Sequence, residues 1–590
     1  MDRLDALAAF ALAHPLKAAS YSILLYVLSR LIRTLYRLLF AARFSSLRDV
    51  PGPPAENAWW GNVRQVISEE CGVAHHQWTE KYGGAVRYKH LLGEEQLLLT
   101  DPVALNHVLS TNVDNYPKPP DMLASFGVFL GRSHVAGVHG DFHRRQRRLM
   151  APAFLHGPIK AWVPMFFDLS YQLRDQLRGR IEAGETDLTA WPSRAAAIDY
   201  VKQREKDETV FESLEWVTKL TLDALGKGAL GYEFNAMSGE RNALAEAFHT
   251  VFLARGAPTD PAPANVLVAE TALKVISSLH YRGWLKYIPT APTKFLHEHI
   301  TIIDKESRKI IESKIEKEEE EPEAKKRDLL SIFHTPAARD ALTPDELRAQ
   351  LKLFIFAGHE GVTIAVCGAL HWLSLYPEKQ SRLRREIRAA RRKAVAEGRE
   401  ELTADEVYNL PYLDAVMREA VRFEGNIASL PRIAAQDDLI PLSQPIRSVR
   451  DPFKTLSHIP VRKGQHIEIS VYSANRSKAI YGEDAEEFRP ERWLDPEKKI
   501  EGGVGVWSGI MSFLHGQRAC IGYRFALYQM KACLSVLLDD FEFEPRDPDC
   551  RIEHRLQLSS RPFVVGERHH GSKLPLKIRI ARQNEAEEGE

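Results

Sequence analysis

The sequence predicts a mainly α-helical protein with small β-sheets, an α+β architecture. Three observations lead there. Helical patterns dominate from about Pro102 to Ala396. Strand-like runs flank that region: AVRYKHLL and EEQLLLT before it, and HIPVRKGQHIEISVYSAN after Asn426. A last apolar helix runs from Ile521 to about Leu538.

Composition narrows the class. The 590 residues carry 79 Lys plus Arg and 79 Asp plus Glu, a net charge of zero. No global attraction to nucleic acid follows, and no nucleic-acid partner is expected. The five cysteines form no CxxC pair and no zinc-like spacing. A reducing compartment, or one functional cysteine, is the natural reading.

The chain opens on an apolar zone from Ala6 to Ser29, interrupted by Lys17. Arg30, Arg33, Arg37 and Arg43 follow. One reading is a signal anchor whose trailing arginines hold the body in the cytosol. The other is an amphipathic helix lying on an anionic surface. A buried helix is the weaker third reading, and no small-residue site for cleavage clearly follows the apolar run. PGPP at Pro51–Pro54 stiffens the link to the body. We therefore divide the chain into an anchor and linker at 1–50, one catalytic domain at 51–580 and a disordered acidic tail at 581–590.

Within the body, EKEEEEPEAKKRD (316–328) has no apolar face and reads as a solvated loop or frayed helix end. Dense loop residues between Gln436 and Lys463 read as an insertion between strands. Thr343, Pro344 and Glu346 form a capping box that starts a helix, and Pro377 stops it. About 30 residues give about 45 Å of helix, enough to cross a domain. Its centre, Ala357-Gly358-His359-Glu360-Gly361, is odd: two glycines and a carboxylate among apolar neighbours. His359, like His134 and His139, reads as structural or solvent-facing.

FLHGQRACIG, Phe513 to Gly522, places Cys520 directly before the last apolar helix. Free N–H groups and the positive end of a helix dipole favour thiolate there. Gly516 permits a tight turn, and Gly522 permits close approach of a flat ligand. Arg518 supplies a cation and Phe513 an apolar shield. That combination suits an iron porphyrin, with sulfur on the metal and arginine on a propionate.

The run resembles the heme-binding signature FxxGxRxCxG of the cytochromes P450, the heme-thiolate monooxygenases. Further motifs follow in the family's order, from Pro51 to the end. Glu419-Ala420-Val421-Arg422 matches ExxR, and FRPERW (488–493) matches FxPxRW. The resemblance implies a buried structural triad of Glu419, Arg422 and Arg492. GDFHRRQRRLMAPAF (140–154) is similar to the family's WxxxR helix, with His143 at the tryptophan position and Arg147 at the arginine position. Both would meet a heme propionate, as would Arg432 in SLPRIA. Arg144, Arg145 and Arg148 would form a basic face for an acidic redox partner.

The resemblance further implies heme b, iron protoporphyrin IX, between two long helices, with Cys520 as axial ligand. Electrons would come from NADPH through a membrane-bound flavoprotein reductase, NADPH–cytochrome P450 reductase, with cytochrome b5 as a further candidate donor. The implied reaction hydroxylates or epoxidises a lipophilic substrate at the endoplasmic reticulum membrane, where the anchor would contact lipid. AGHEG matches the family's oxygen-binding stretch A/G-G-x-D/E-T. Ala357 and Gly358 would let oxygen approach the backbone, and Glu360 would deliver protons. The departure is Gly361, where the family carries threonine. Thr363 is the remaining hydroxyl, about 200° further around the helix, and substitutes only if the helix bulges. Alternatives are peroxide-dependent or redox-neutral chemistry, and a heme-thiolate sensor without catalysis. A heme-free membrane scaffold is the weakest alternative. Met122, Leu123, Phe126, Val128 and Phe129 read equally as substrate pocket or core. The inserted segment and the AGHE form resemble fungal members, which suggests secondary metabolism or detoxification.

Overall fold

The computed structural model describes residues 45–205, 207–252, 290–320, 342–495, 502–556 and 559–582, with isolated positions outside those ranges. The helices that position the site are α1 (Val73–Tyr82), α2 (Pro120–Leu130), α3 (Gly140–Met150), α4 (Val163–Ala183), α5 (Ser213–Leu225), α6 (Ala291–Glu320), α7 (Pro344–Leu375), α8 (Pro377–Ala396), α9 (Pro411–Phe423) and α10 (Tyr523–Asp540). The strands are β1 (Ala85–Lys89), β2 (Glu95–Leu99), β3 (Glu208–Glu212), β4 (Ser429–Ile433), β5 (Asp438–Arg447), β6 (Thr455–Val461), β7 (His466–Ser470), β8 (Phe541–Pro545), β9 (Ile552–Leu556), β10 (Ser560–Val564) and β11 (Pro575–Ile580).

Helix α7 is the axle of the fold. The Thr343 hydroxyl accepts from the Glu346 N–H at 3.2 Å, and the Glu346 carboxylate accepts from the Thr343 N–H at 2.8 Å. The capping box thus satisfies two donors that every helix start leaves over. Leu351, Ile355, Val366, Cys367, Leu370 and Leu373 of α7 are fully buried. They join Leu173 and Leu177 of α4 and Leu527, Leu534 and Leu537 of α10 in one apolar core. Among the described residues α7 alone is long and apolar enough to cross a membrane, but 78% of its apolar window is buried. It is a core helix.

The sheets are small. One holds four strands in the order β1-β2-β7-β4, with β2 and β7 parallel and the other pairs antiparallel. Another holds β3-β11-β8, so the fold extends to Ile580. The segment expected to be a looped insertion is instead the hairpin β5–β6, with a bulge between Pro441 and Ile446. Pro441, Ser443 and Pro445 mimic a loop in sequence. A two-stranded ribbon tolerates proline because its outer edges need no partner.

Helix α6 continues through Glu320, so the acidic run begins as helix, and 321–328 lie outside the described residues. So do most of 1–44 and the tail from 583. Among the described N-terminal positions, Tyr21, Leu24, Leu25, Leu28, Ile32 and Leu35 are helical and exposed. Lys17, Ser20 and Ser29 are helical and exposed beside them.

Candidate functional site

The Cys520 loop is tied before it reaches α10. The Cys520 N–H donates to the Phe513 carbonyl at 2.8 Å. Gly516 has φ +64°, and a Cβ there would lie 2.4 Å from the Leu109 carbonyl oxygen. Only glycine serves at this turn. Phe513 packs edgewise near Trp507, with ring centres 5.9 Å apart. Cys520 is solvent-accessible although protein surrounds it closely, so its thiol faces an internal recess. Burial pushes the thiol up from its ordinary value, while the Gly522 N–H and Arg147 pull the other way. The expected lowering by the helix terminus is therefore outweighed by burial. A thiolate there needs a cation bonded to the sulfur.

Such a cation belongs to a group that the surrounding charges also fit. Arg147 Nη1 donates to the Ala519 carbonyl at 2.6 Å, so α3 is joined to the residue before the cysteine. Arg518 Nη1 donates to Val138 O at 2.8 Å, and its Nη2 lies 3.0 Å from His139 Nδ1. Arg432 is buried, with one guanidinium nitrogen unsatisfied. Lys118, also beside Arg432 and Arg518, donates to Ala136 O at 2.6 Å. Burial lowers Arg518 and Arg432 to about 10 and Lys118 to about 7; Arg518 adds to this at Arg432 and Lys118, while Asp114 works against it at Arg518. Burial, then the same cations, lower His143 to about 3 and His139 to about 4. Glu468 also lies near Arg432, but burial raises it to about 7. Among the described residues no carboxylate pairs with Arg147, Arg432, Arg518 or Lys118.

One buried and three half-buried cations without an ion-pair partner, around an accessible thiol, fit a flat dianion whose metal takes sulfur. Heme fits that description, with propionates on the cations and iron on Cys520. Gly522 leaves room: a Cβ there would meet only Phe154, at 3.5 Å. Phe154 in turn approaches Phe354 of α7, with ring centres 6.2 Å apart.

Behind the loop stands the buried triad. Glu419 Oε1 accepts from Arg422 Nη2 at 2.8 Å and from Arg492 Nε at 2.9 Å, and Oε2 accepts from Arg422 Nε at 3.0 Å. Trp493 Nε1 adds a fourth bond, to Oε2 at 2.9 Å. Asn475 carries this clamp to the loop. Its Nδ2 donates to Arg422 O and to Ser512 Oγ, and its Oδ1 accepts from Met511 N at 2.8 Å.

On α7, residues 350–355 and 362–370 are buried, whereas Phe356, Ala357, Gly358 and Gly361 have access. Phe126 of α2 stands edgewise to Phe356, whereas Val128 packs with Ile300 in a small core cluster. The candidate pocket residues thus divide between recess and core. Glu360 is buried, accepting from Ser559 Oγ at 2.6 Å and Arg561 Nη1 at 2.8 Å. Gly358 answers a different need from the one expected. A Cβ there would lie 2.5 Å from Leu225 Cδ1 of α5, so close helix packing accounts for this glycine. Thr363 turns away: its hydroxyl donates to His359 O at 3.0 Å and meets Thr221 Oγ1 at 2.8 Å. His359 is likewise satisfied, by Ile355 O at 2.6 Å.

The basic face is smaller than the sequence suggests. Arg144 pairs with Asp141 and Asp114, and Arg145 with Glu346, while Arg148 is exposed. Lys118, His139, Trp493, Ser559 and Arg561 escaped sequence reasoning. Lys118, Ser559 and Arg561 sit in no motif with fixed spacing, His139 reads in sequence as structural or solvent-facing, and Trp493 closes the FRPERW motif without its bond to Glu419 being expected.

Comparison with known proteins agrees with this geometry. The family model described as Cytochrome P450 matches residues 51–565. Cytochrome P450 monooxygenase 205 of Postia placenta is 34% identical over 544 residues, 91% of this chain and 93% of that protein. Cytochrome P450 monooxygenase 91 of the same fungus is 32% identical, covering 85% and 88%. Cytochrome P450 monooxygenase claQ of Ampulloclitocybe clavipes is 28% identical, covering 95% and 97%. The chain belongs to the cytochrome P450 family and is an enzyme of that family.

Proposed function

We propose that the protein inserts one oxygen atom of O2 into a lipophilic organic substrate, by hydroxylation or epoxidation. NADPH supplies the electrons through a flavoprotein reductase, with cytochrome b5 a further candidate donor. The carrying observation is the accessible Cys520 thiol beneath inward-facing cations that no carboxylate pairs. Bound heme would supply oxygen activation and atom transfer. The chain's own residues supply the rest. The Phe513–Cys520 hydrogen bond and the Asn475 link fix where the sulfur stands. Arg147, Arg432, Arg518 and Lys118 would neutralise and orient the propionates, and the uncharged His143 would offer one of them a hydrogen bond. Phe126 and Phe356 keep the substrate side apolar. Glu360 lies buried beside the opening of α7, and it can pass on a proton only by yielding its bond to Ser559 or Arg561.

The exposed apolar residues from Tyr21 to Leu35 support membrane contact by the 1–50 segment, at the endoplasmic reticulum with the body in the cytosol. The unpaired Arg148 supports an acidic reductase surface at that side. One observation favours a second reading. Gly361 offers no hydroxyl, which suits peroxide-dependent or redox-neutral chemistry.

The test is the carbon monoxide difference spectrum of the reduced protein, followed by turnover. A thiolate-type Soret shift with NADPH-dependent product formation is expected, and Cys520→Ala loses the shift. The shift without NADPH-dependent turnover would sink the monooxygenase reading and leave a peroxide-driven enzyme or a sensor. Spin-state shifts across a panel of lipophilic compounds then find the substrate class.

A further inference from the structure

Gly361 leaves α7 without a side chain where an alcohol was expected, yet a polar group reaches that spot. A Cβ on Gly361 would lie 3.2 Å from Asn426 Nδ2 and 3.8 Å from Asn426 Cγ. A threonine hydroxyl would stand one bond beyond that Cβ, within hydrogen-bond reach of the amide. Asn426 lies between α9 and β4, half-buried. Its carbonyl accepts from Ser560 N at 2.7 Å, which pins the loop to β10. Its carboxamide hydrogen-bonds to none of the described residues, so donor and acceptor both remain open. A half-buried amide keeps such capacity at little cost only where water or a ligand uses it.

Two neighbours give that capacity a context. Ser559, next to Ser560, donates to Glu360, so the start of β10 touches both Glu360 and the Asn426 loop. A cavity of about 550 Å³ is lined by Gly425, Ile427 and Ser560 on this side and by Glu70, His371 and His554 beyond. Asn426 does not line it, but its neighbours Gly425 and Ile427 do, and Glu70, His371, His554 and Ser560 make it polar enough to hold water.

We infer that the Asn426 carboxamide takes the place of the missing alcohol, holding a water in the opening of α7 at Gly361. Asn426 is a positioning residue: it acts through that water. A carboxamide donates two hydrogen bonds and accepts at its oxygen, so it can replace a hydroxyl that donates one and accepts. The inference rests on the heme-thiolate monooxygenase reading.

The test uses the full-length holoprotein and carbon monoxide as the probe of the opening. In Asn426→Ala the Soret maximum of the reduced carbonyl complex and the heme content are expected to stay as in the wild type. The C–O stretch should move, because a nearby donor is lost. With the reductase present, peroxide released per NADPH should rise several-fold. Asn426→Ala combined with Gly361→Thr should bring both readouts back toward the wild type. If Asn426→Ala fails to fold, Asn426→Leu fills the same volume without a donor and carries the same expectations. An unmoved C–O stretch and an unchanged peroxide ratio, with the thiolate-type Soret intact, would overturn the inference. A wild-type protein lacking that Soret position would overturn the reading beneath it, a distinguishable failure.

Discussion

Two glycines three residues apart on α7 serve different needs. Gly361 faces the Asn426 amide, 3.2 Å from where a Cβ would stand, while Gly358 is held against Leu225 of α5. Leu225 is itself 3% exposed and has little room to retreat. Gly358→Ala should therefore destabilise by overpacking, by about 1–3 kcal/mol. Leu225→Ala alone should cost about 2–5 kcal/mol through its cavity. The pair should cost clearly less than the sum, because the new methyl enters the space the leucine leaves. Denaturant unfolding of the four proteins measures this cycle. Strict additivity would mean that α5 does not set the need for glycine. Gly358 was legible in the sequence only as a member of the oxygen-binding stretch, because its partner lies more than 130 residues away and no spacing rule connects them.

At the scale of elements, the clamp on Glu419 joins α9 to the turn that carries Arg492 and Trp493, and through Asn475 to the Cys520 loop. Glu419 and Arg422 are fully buried. Removing one partner leaves a buried charge unpaired, so Glu419→Ala should cost about 3–5 kcal/mol. Arg492→Lys should cost nearly as much. The arginine serves Glu419 through Nε while Nη1 bonds Tyr481 O and Asp484 Oδ1, and an ammonium cannot span that fork. Both variants should also retain less heme, seen in the ratio of Soret to protein absorbance. A lysine variant that unfolds and binds heme like the wild type would sink this account. One turn of helix showed Glu419 and Arg422 on a shared face, but their burial and the part of Arg492 were legible only through family resemblance. The β5–β6 hairpin was not legible, because prolines in a ribbon edge look like prolines in a loop.

For the molecule as a whole, contiguous motifs could be read and the charge field around them could not. Cys520, Phe513 and Arg518 lie within eight consecutive residues, but Lys118 belongs to no motif and His139 reads in sequence as structural or solvent-facing. The same limit hid Glu424, which follows α9 and binds three parts of the fold. Its Oε1 accepts from Trp372 of α7 at 2.7 Å, and its Oε2 lies 2.8 Å from His554 of β9. Burial alone would raise Glu424, but His554, His371 and the Trp372 N–H bring it down to about 2. Burial alone would lower His554, but Glu424 and then Glu70 raise it, against Arg476. His371 is held down to about 4 by burial and stays neutral above that. A depressed carboxyl stabilises fully above its ordinary 4.5 and loses that contribution as pH falls toward about 2. A raised imidazole stabilises fully below its ordinary 6.5 and loses that contribution as pH rises through its folded value. The ion pair therefore contributes most between these limits. The difference in unfolding temperature between wild type and Glu424→Gln should peak between about pH 4.5 and 6.5 and shrink on both sides. Scanning calorimetry of both holoproteins across that range measures it. A difference independent of pH would show that Glu424 holds α7, α9 and β9 together by packing and neutral hydrogen bonds alone.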